Sequence, residues 1–162
     1  MGERVCPMKT FHRNSSHAKR QHFNQLPKFW QPKIDEQQQL DCKLTHWNLF
    51  DLIRLGQADS ATLWDWIETG FTYSQFMRLM AADGVDFTDE AAQALADQLN
   101  IYEDVIARYR KTGRVGFNGQ QINIARAACY VMDGLIEMDR HGIAVKAALW
   151  SLEQMTKIRG TM

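Results

Sequence analysis

From residue 35 onward the apolar positions recur at helical spacing. Leu40, Leu44, Trp47 and Phe50 step by 4, 3 and 3, with Leu49, Leu52 and Ile53 beside them. That spacing predicts a helix with a broad apolar face, and Gly56 stands just past its end as a C′ residue. Asp59 or Ser60 is placed to cap a second helix, along which Leu63, Trp66, Ile67, Gly70, Tyr73, Met77 and Met80 keep the period as far as Ala82. Gly70 costs about 1 kcal/mol inside a helix. The stretch is therefore one long helix with a close-packed or kinked point, or two helices broken there. Thr88 caps a third helix with Asp89 and Glu90 in its first turn, where the helix dipole favours acids. Its stripe of Leu95, Leu99, Tyr102, Ile106 and Tyr109 is the cleanest in the chain, and Arg108, Arg110 and Lys111 close it before Gly113.

A glycine-rich turn over 113–119 leads into a fourth helix. This one has two apolar rows, Ile122, Ala125, Cys129, Met132, Ile136 and Ala128, Val131, Leu135, Met138. Two rows make a wide face, which predicts a central helix. After His141 and Gly142, a last helix carries Val145, Leu149, Leu152 and Met155, with Trp150 off that row. No segment alternates with period two between hairpin turns. The pattern predicts an all-α, five-helix bundle over residues 34–162, in which the third and fourth helices form an antiparallel hairpin.

Charge changes the picture at the N-terminus. The chain has 162 residues and 19 basic against 19 acidic side chains, but the balance is uneven. Residues 1–33 carry a net charge of +6 and the remainder −6. The first 33 residues are also rich in Asn, Ser and Gln, with no apolar period, so they bury too little surface to offset their ordering entropy. This predicts a disordered basic N-terminal arm. Arg13, Lys19, Arg20, Phe23 and Trp30 are its candidate contacts, cations for phosphates and aromatic faces for unpaired bases. The alternative is a solubilising tail whose last aromatics pack on the body. No apolar run is long enough to span a membrane, and the opening residues lack the apolar core of a secretory signal. Three scattered thiols, Cys6, Cys42 and Cys129, form no disulfide framework and fit a reducing compartment.

Candidate chemistry is sparse. Backbone amides of a glycine turn entering a helix can hold a phosphate, and Arg108, Arg110, Lys111 and Arg114 surround this one. Yet neither the P-loop nor the dinucleotide spacing is met, so a helix C-cap, a turn and an N-cap at Asn118 explain the same residues. Cys6, His12, His17 and His22 match no zinc spacing, and Cys42 with His46 lacks further ligands, so no metal and no cofactor is expected. Asp133 and Glu137, followed by Asp139, Arg140 and His141, read as a solvated helix face. No nucleophile motif occurs, which argues against an enzyme. A helix-turn-helix over 63–80, turning at Gly70, would have Arg78 as the one base on its reading helix, whereas reading helices need more donors. Trp64 and Trp150, off the stripes, are either covered by another element or form an aromatic interface.

Two stretches carry a resemblance: Pro32-Lys33-Ile34-Asp35 running into Leu44-Thr45-His46-Trp47-Asn48-Leu49, and Thr112-Gly113-Arg114-Val115-Gly116-Phe117-Asn118-Gly119. Together they resemble a loose group of small helical proteins encoded by bacterial phages, plasmids and integrated elements. The resemblance implies a mobile-element origin and a bacterial cytoplasm, and transfers no catalytic residue. The expected function is that of a non-enzymatic accessory protein that binds a larger host or phage protein or nucleoprotein complex. It would act as an inhibitor, for example of a bacterial immune system, or as an adaptor, and a homo-oligomer is compatible with it. Two alternatives stand beside it: a nucleic-acid-binding regulator using the arm and the Arg108, Arg110, Lys111 and Arg114 patch, and a small structural subunit of a phage particle or transfer apparatus.

Overall fold

The computed structural model describes residues 33–160. The arm residues Arg13, Lys19, Arg20, Phe23 and Trp30 lie outside the described residues. The rest is the expected all-α bundle of five helices, the third of which runs in two segments. We label the segments α1 (Glu36–Arg54), α2 (Ser60–Ala82), α3 (Asp89–Asn100), α4 (Tyr102–Thr112), α5 (Gly119–Glu137) and α6 (Ile143–Gly160).

Four of the six starts have a side-chain cap. Asp35, Asp59, Thr88 and Asn118 turn extended backbone into helix and accept the amides of Gln38, Thr62, Ala91 and Gln121. In α1 and α5 the N3 glutamine returns the bond, completing a capping box. The Thr62 backbone and hydroxyl bonds hold the Asp59 carboxyl below its ordinary range. Gly113 ends α4 in the left-handed region at φ 70°, where a side chain would be strained.

α2 is continuous through Gly70, which settles the choice left by the pattern and removes the helix-turn-helix reading. A Cβ at Gly70 would lie 1.5 Å from Tyr102 Oη, and the Gln98 amide nitrogen is 2.9 Å away. The glycine is thus a notch that admits the α3–α4 junction. Inside it Tyr102 accepts from Gln98 and donates to the Trp66 carbonyl. The stripe predicted for one helix from Leu95 to Tyr109 stays in phase, but the chain breaks at Ile101. As a result α5 packs chiefly against α3 rather than α4.

α5 lies between α1 and α3, and α2 packs most extensively on α6. Small residues let α6 come close: Ala144, Ala147, Ala148 and Ser151 are fully buried, and Ser151 donates to the Glu68 carbonyl of α2. Two apolar clusters form the core. One gathers Cys42, Phe76, Met80, Met132 and Ile136, and the other Leu49, Phe50, Ile53, Trp66 and Val105. Cys42 is disulfide-bonded and Cys129 is a buried free thiol. The bonded Cys42 departs from the expected set of scattered thiols. No helix among the described residues is long and apolar enough to cross a membrane.

Candidate interaction surface

His46 sits on α1 between the two apolar clusters and is 2% exposed. A buried imidazole needs partners for both nitrogens. Nδ1 is 3.3 Å from Tyr73 Oη of α2, and Nε2 is 2.7 Å from Asp133 Oδ1 of α5. The second Asp133 oxygen accepts the Trp47 indole N–H at 3.0 Å. Burial raises the Asp133 carboxyl, but the His46 and Trp47 bonds, then the charges of His46 and Lys43, hold it below its ordinary range. Burial, aided by the Asp133 charge, pushes Tyr73 far up and the Cys129 thiol up to about 12. The thiol is therefore protonated and inert at neutral pH. Both nitrogens of His46 are engaged, so it is not offered to a metal with Cys42. Among the described residues no group of three His, Cys, Asp or Glu is placed to hold one.

Asp133 is thus a structural acceptor, not part of a solvated face. The same correction applies to Asp139, which is buried. Its two oxygens accept the Ile34 amide at 3.0 Å and the Ala144 amide at 2.9 Å, joining the entry to α1 to the start of α6. Burial raises its carboxyl, and the two amide bonds oppose that rise. Arg140 pairs with Asp83 at 2.8 Å. Glu137 remains exposed and pairs with Lys43 of α1.

The glycine turn is anchored from within. Val115 is buried, and the Phe117 ring lies 5.1 Å from Trp66 and 6.1 Å from Phe50. Arg108 is half-buried and donates to the Gly116 carbonyl at 2.6 Å and to Gln121 at 3.0 Å. It therefore clamps the turn rather than presenting a charge. At the start of α5 the Gln121 amide donates to the Asn118 side chain. Arg110, Lys111 and Arg114 are exposed around the end of α4, so three of the four expected patch residues share the surface. Trp64 is half-buried against the second core cluster. Trp150 is also half-buried, and the structure does not join the two into an exposed aromatic face.

The exposed apolar surface lies elsewhere. Leu40 (48% exposed) and Leu44 (56%) of α1 point away from the core. With half-buried Trp47 they form a row stepping by 4 and 3 along one side of the helix. Tyr130 of α5, 64% exposed, meets the Trp47 ring edge-on at 5.1 Å. Rim charges flank this seam, with Lys43 on Glu137 and Arg126 5.8 Å above the Phe50 ring. Periodicity placed Leu40 and Leu44 in the core stripe, because a broad apolar face does not show which edge stays open. Tyr130 belongs to neither apolar row of its helix, and that was the available signal. The chain matches no family model, no curated protein and no solved structure.

Proposed function

We propose that this chain is a non-enzymatic accessory protein that binds a larger protein complex, as an inhibitor or an adaptor, through the α1–α5 seam. The observation that carries this reading is the exposure of Leu40 and Leu44, which share a helical row with Trp47, and of Tyr130, which packs on the Trp47 ring. Exposed aromatic and aliphatic side chains rimmed by paired charges have the composition of an interface centre. The buried polar groups at His46, Asp133 and Asp139 hold helices together, which leaves recognition to the surface. The resemblance to phage- and plasmid-encoded helical proteins supports a partner inside a bacterial cell, a bacterial immune complex among the candidates.

A second reading, nucleic-acid binding, draws on the exposed trio Arg110, Lys111 and Arg114. Phosphate contacts made by three cations would weaken steeply with salt.

Affinity capture of the tagged chain from a bacterial lysate, followed by reconstitution with the protein recovered, tests both. The first reading expects the Leu44→Ser, Tyr130→Ser double variant to fold normally and lose that partner. Retention of the partner at unchanged affinity would overturn it, and salt-sensitive retention of nucleic acid would favour the second.

A further inference from the structure

A groove of about 590 Å3 runs between α3 and α5, beside the seam but across α5 from it. Its floor is apolar, formed by Ala94 of α3 with Ile124 and Ala127 of α5, while Asp89, Glu90 and Asp97 stand along the α3 rim. A groove of this kind fits a segment that has an apolar anchor and cations beside it.

The chain carries one. Arg13, Lys19, Arg20 and Phe23 belong to the first 33 residues, whose net charge is +6 against −6 for the remainder. We propose that segment 13–23 of this chain docks in the α3–α5 groove, with Phe23 on the Ala94, Ile124 and Ala127 floor and Lys19 and Arg20 facing Glu90 and Asp97.

The tether has the required length. Asp139, just past the end of α5, holds the Ile34 amide at 3.0 Å, so the chain enters the body there. Ala127 and Asn123 lie about 18 to 24 Å back along α5 at the helical rise of 1.5 Å per residue. The nine residues 24–32 span up to about 30 Å when extended, which brings Phe23 to the floor and leaves the cations over the rim. A short tether of this kind supplies an effective concentration of order mM. A modest intrinsic affinity therefore suffices for occupancy, and any other cationic ligand of the groove must compete with the arm. The contact is independent of the seam and holds whether or not the seam binds a partner.

The test uses the full chain, with the substitutions placed in the arm so that the body is untouched. Methyl resonances of Ala94, Ile124 and Ala127 are compared between the wild type and a Lys19→Gln, Arg20→Gln, Phe23→Ser variant at about 50 mM salt, where screening is weak. The expected result is a shift difference confined to the groove methyls, which shrinks toward zero at about 0.5 M salt and is unchanged on roughly tenfold dilution. Identical groove resonances in the two proteins would overturn the proposal. A difference that disappears on dilution would overturn it too, because the groove would then hold the arm of a second copy.

Discussion

A methyl group at Gly70 separates two opposing effects. On helix propensity alone, Gly70→Ala should stabilise α2 by about 1 kcal/mol. The notch decides otherwise, since the added carbon would sit 1.5 Å from Tyr102 Oη and 2.8 Å from Cζ of the same ring. Overpacking costs about 1 to 3 kcal/mol, and displacing the ring also breaks its bonds to Gln98 and Trp66. We expect a net loss of roughly 2 kcal/mol, read as a lower urea midpoint at unchanged slope. Adding Tyr102→Phe removes the nearest atom and should recover part of the loss. A stabilised Gly70→Ala chain would show that the junction can move aside. Asp133 gives a residue-scale prediction with a sign in pH. Its carboxyl is held low in the folded state, so its contribution is present above the unfolded carboxylate value near about 4 and is lost as pH falls through the lower folded value. Asp133→Asn should therefore be less stable than wild type at about pH 7, with a gap that narrows toward about pH 3. Asp139 has the opposite sign, because its raised carboxyl weakens the fold as pH rises through its folded value. It is present in both proteins and cancels from the difference. A gap that stays constant with pH would mean that the His46 and Trp47 bonds do not depend on the charge.

Among the helices, the decisive contacts are the ones local pattern cannot express. Asp139→Ala would leave the Ile34 and Ala144 amides buried without acceptors, each worth about 1 to 3 kcal/mol. We expect about 3 kcal/mol of lost stability and faster hydrogen exchange at Ile34 and Ala144, while the amides at the centre of α2 change only with global stability. Protection at Ile34 equal to wild type would show that the chain entry is held by something else. Sequence legibility follows the same division. The caps Asp59, Thr88 and Asn118, the stop at Gly113 and the central place of α5 could be read from the chain, because each depends on neighbours within a few residues or on a stripe two rows wide. The break at Ile101 could not, since the apolar stripe keeps its phase across it. Nor could the burial of Asp139, whose acceptor role depends on an amide 105 residues away. The candidate surface divides likewise. Three exposed cations were legible as a helix end, whereas the exposure of Leu44 and Tyr130 depends on which edge of α1 its neighbour leaves open.

Across the whole molecule, two surfaces of different physics compete for the role of interface, and salt separates them. The Arg110, Lys111 and Arg114 cluster is exposed on a body whose net charge is −6 without the first 33 residues. It is therefore a local positive feature able to steer an acidic partner. The α1–α5 seam is apolar at its centre, and burial of such surface is worth about 25 cal/mol per Å2 with little dependence on dilute salt. Arg110→Glu with Arg114→Glu, and separately Leu44→Ser with Tyr130→Ser, should each leave the helical circular-dichroism spectrum intact and shift stability by no more than about 0.5 kcal/mol per site, because these side chains are exposed. Arg108→Ala is the contrasting control. It removes the bonds to Gly116 and Gln121 and should lower stability by about 1 to 2 kcal/mol. If the seam is the interface, the serine pair should weaken partner binding by at least tenfold at both about 0.05 M and about 0.5 M salt, as loss of a hot spot does. The charge reversal should then matter only at the lower salt, where the Debye length is longer. Were the serine pair to bind normally and the reversal to abolish binding at both salts, the interface would be the basic turn and the seam only an uncovered edge of the bundle.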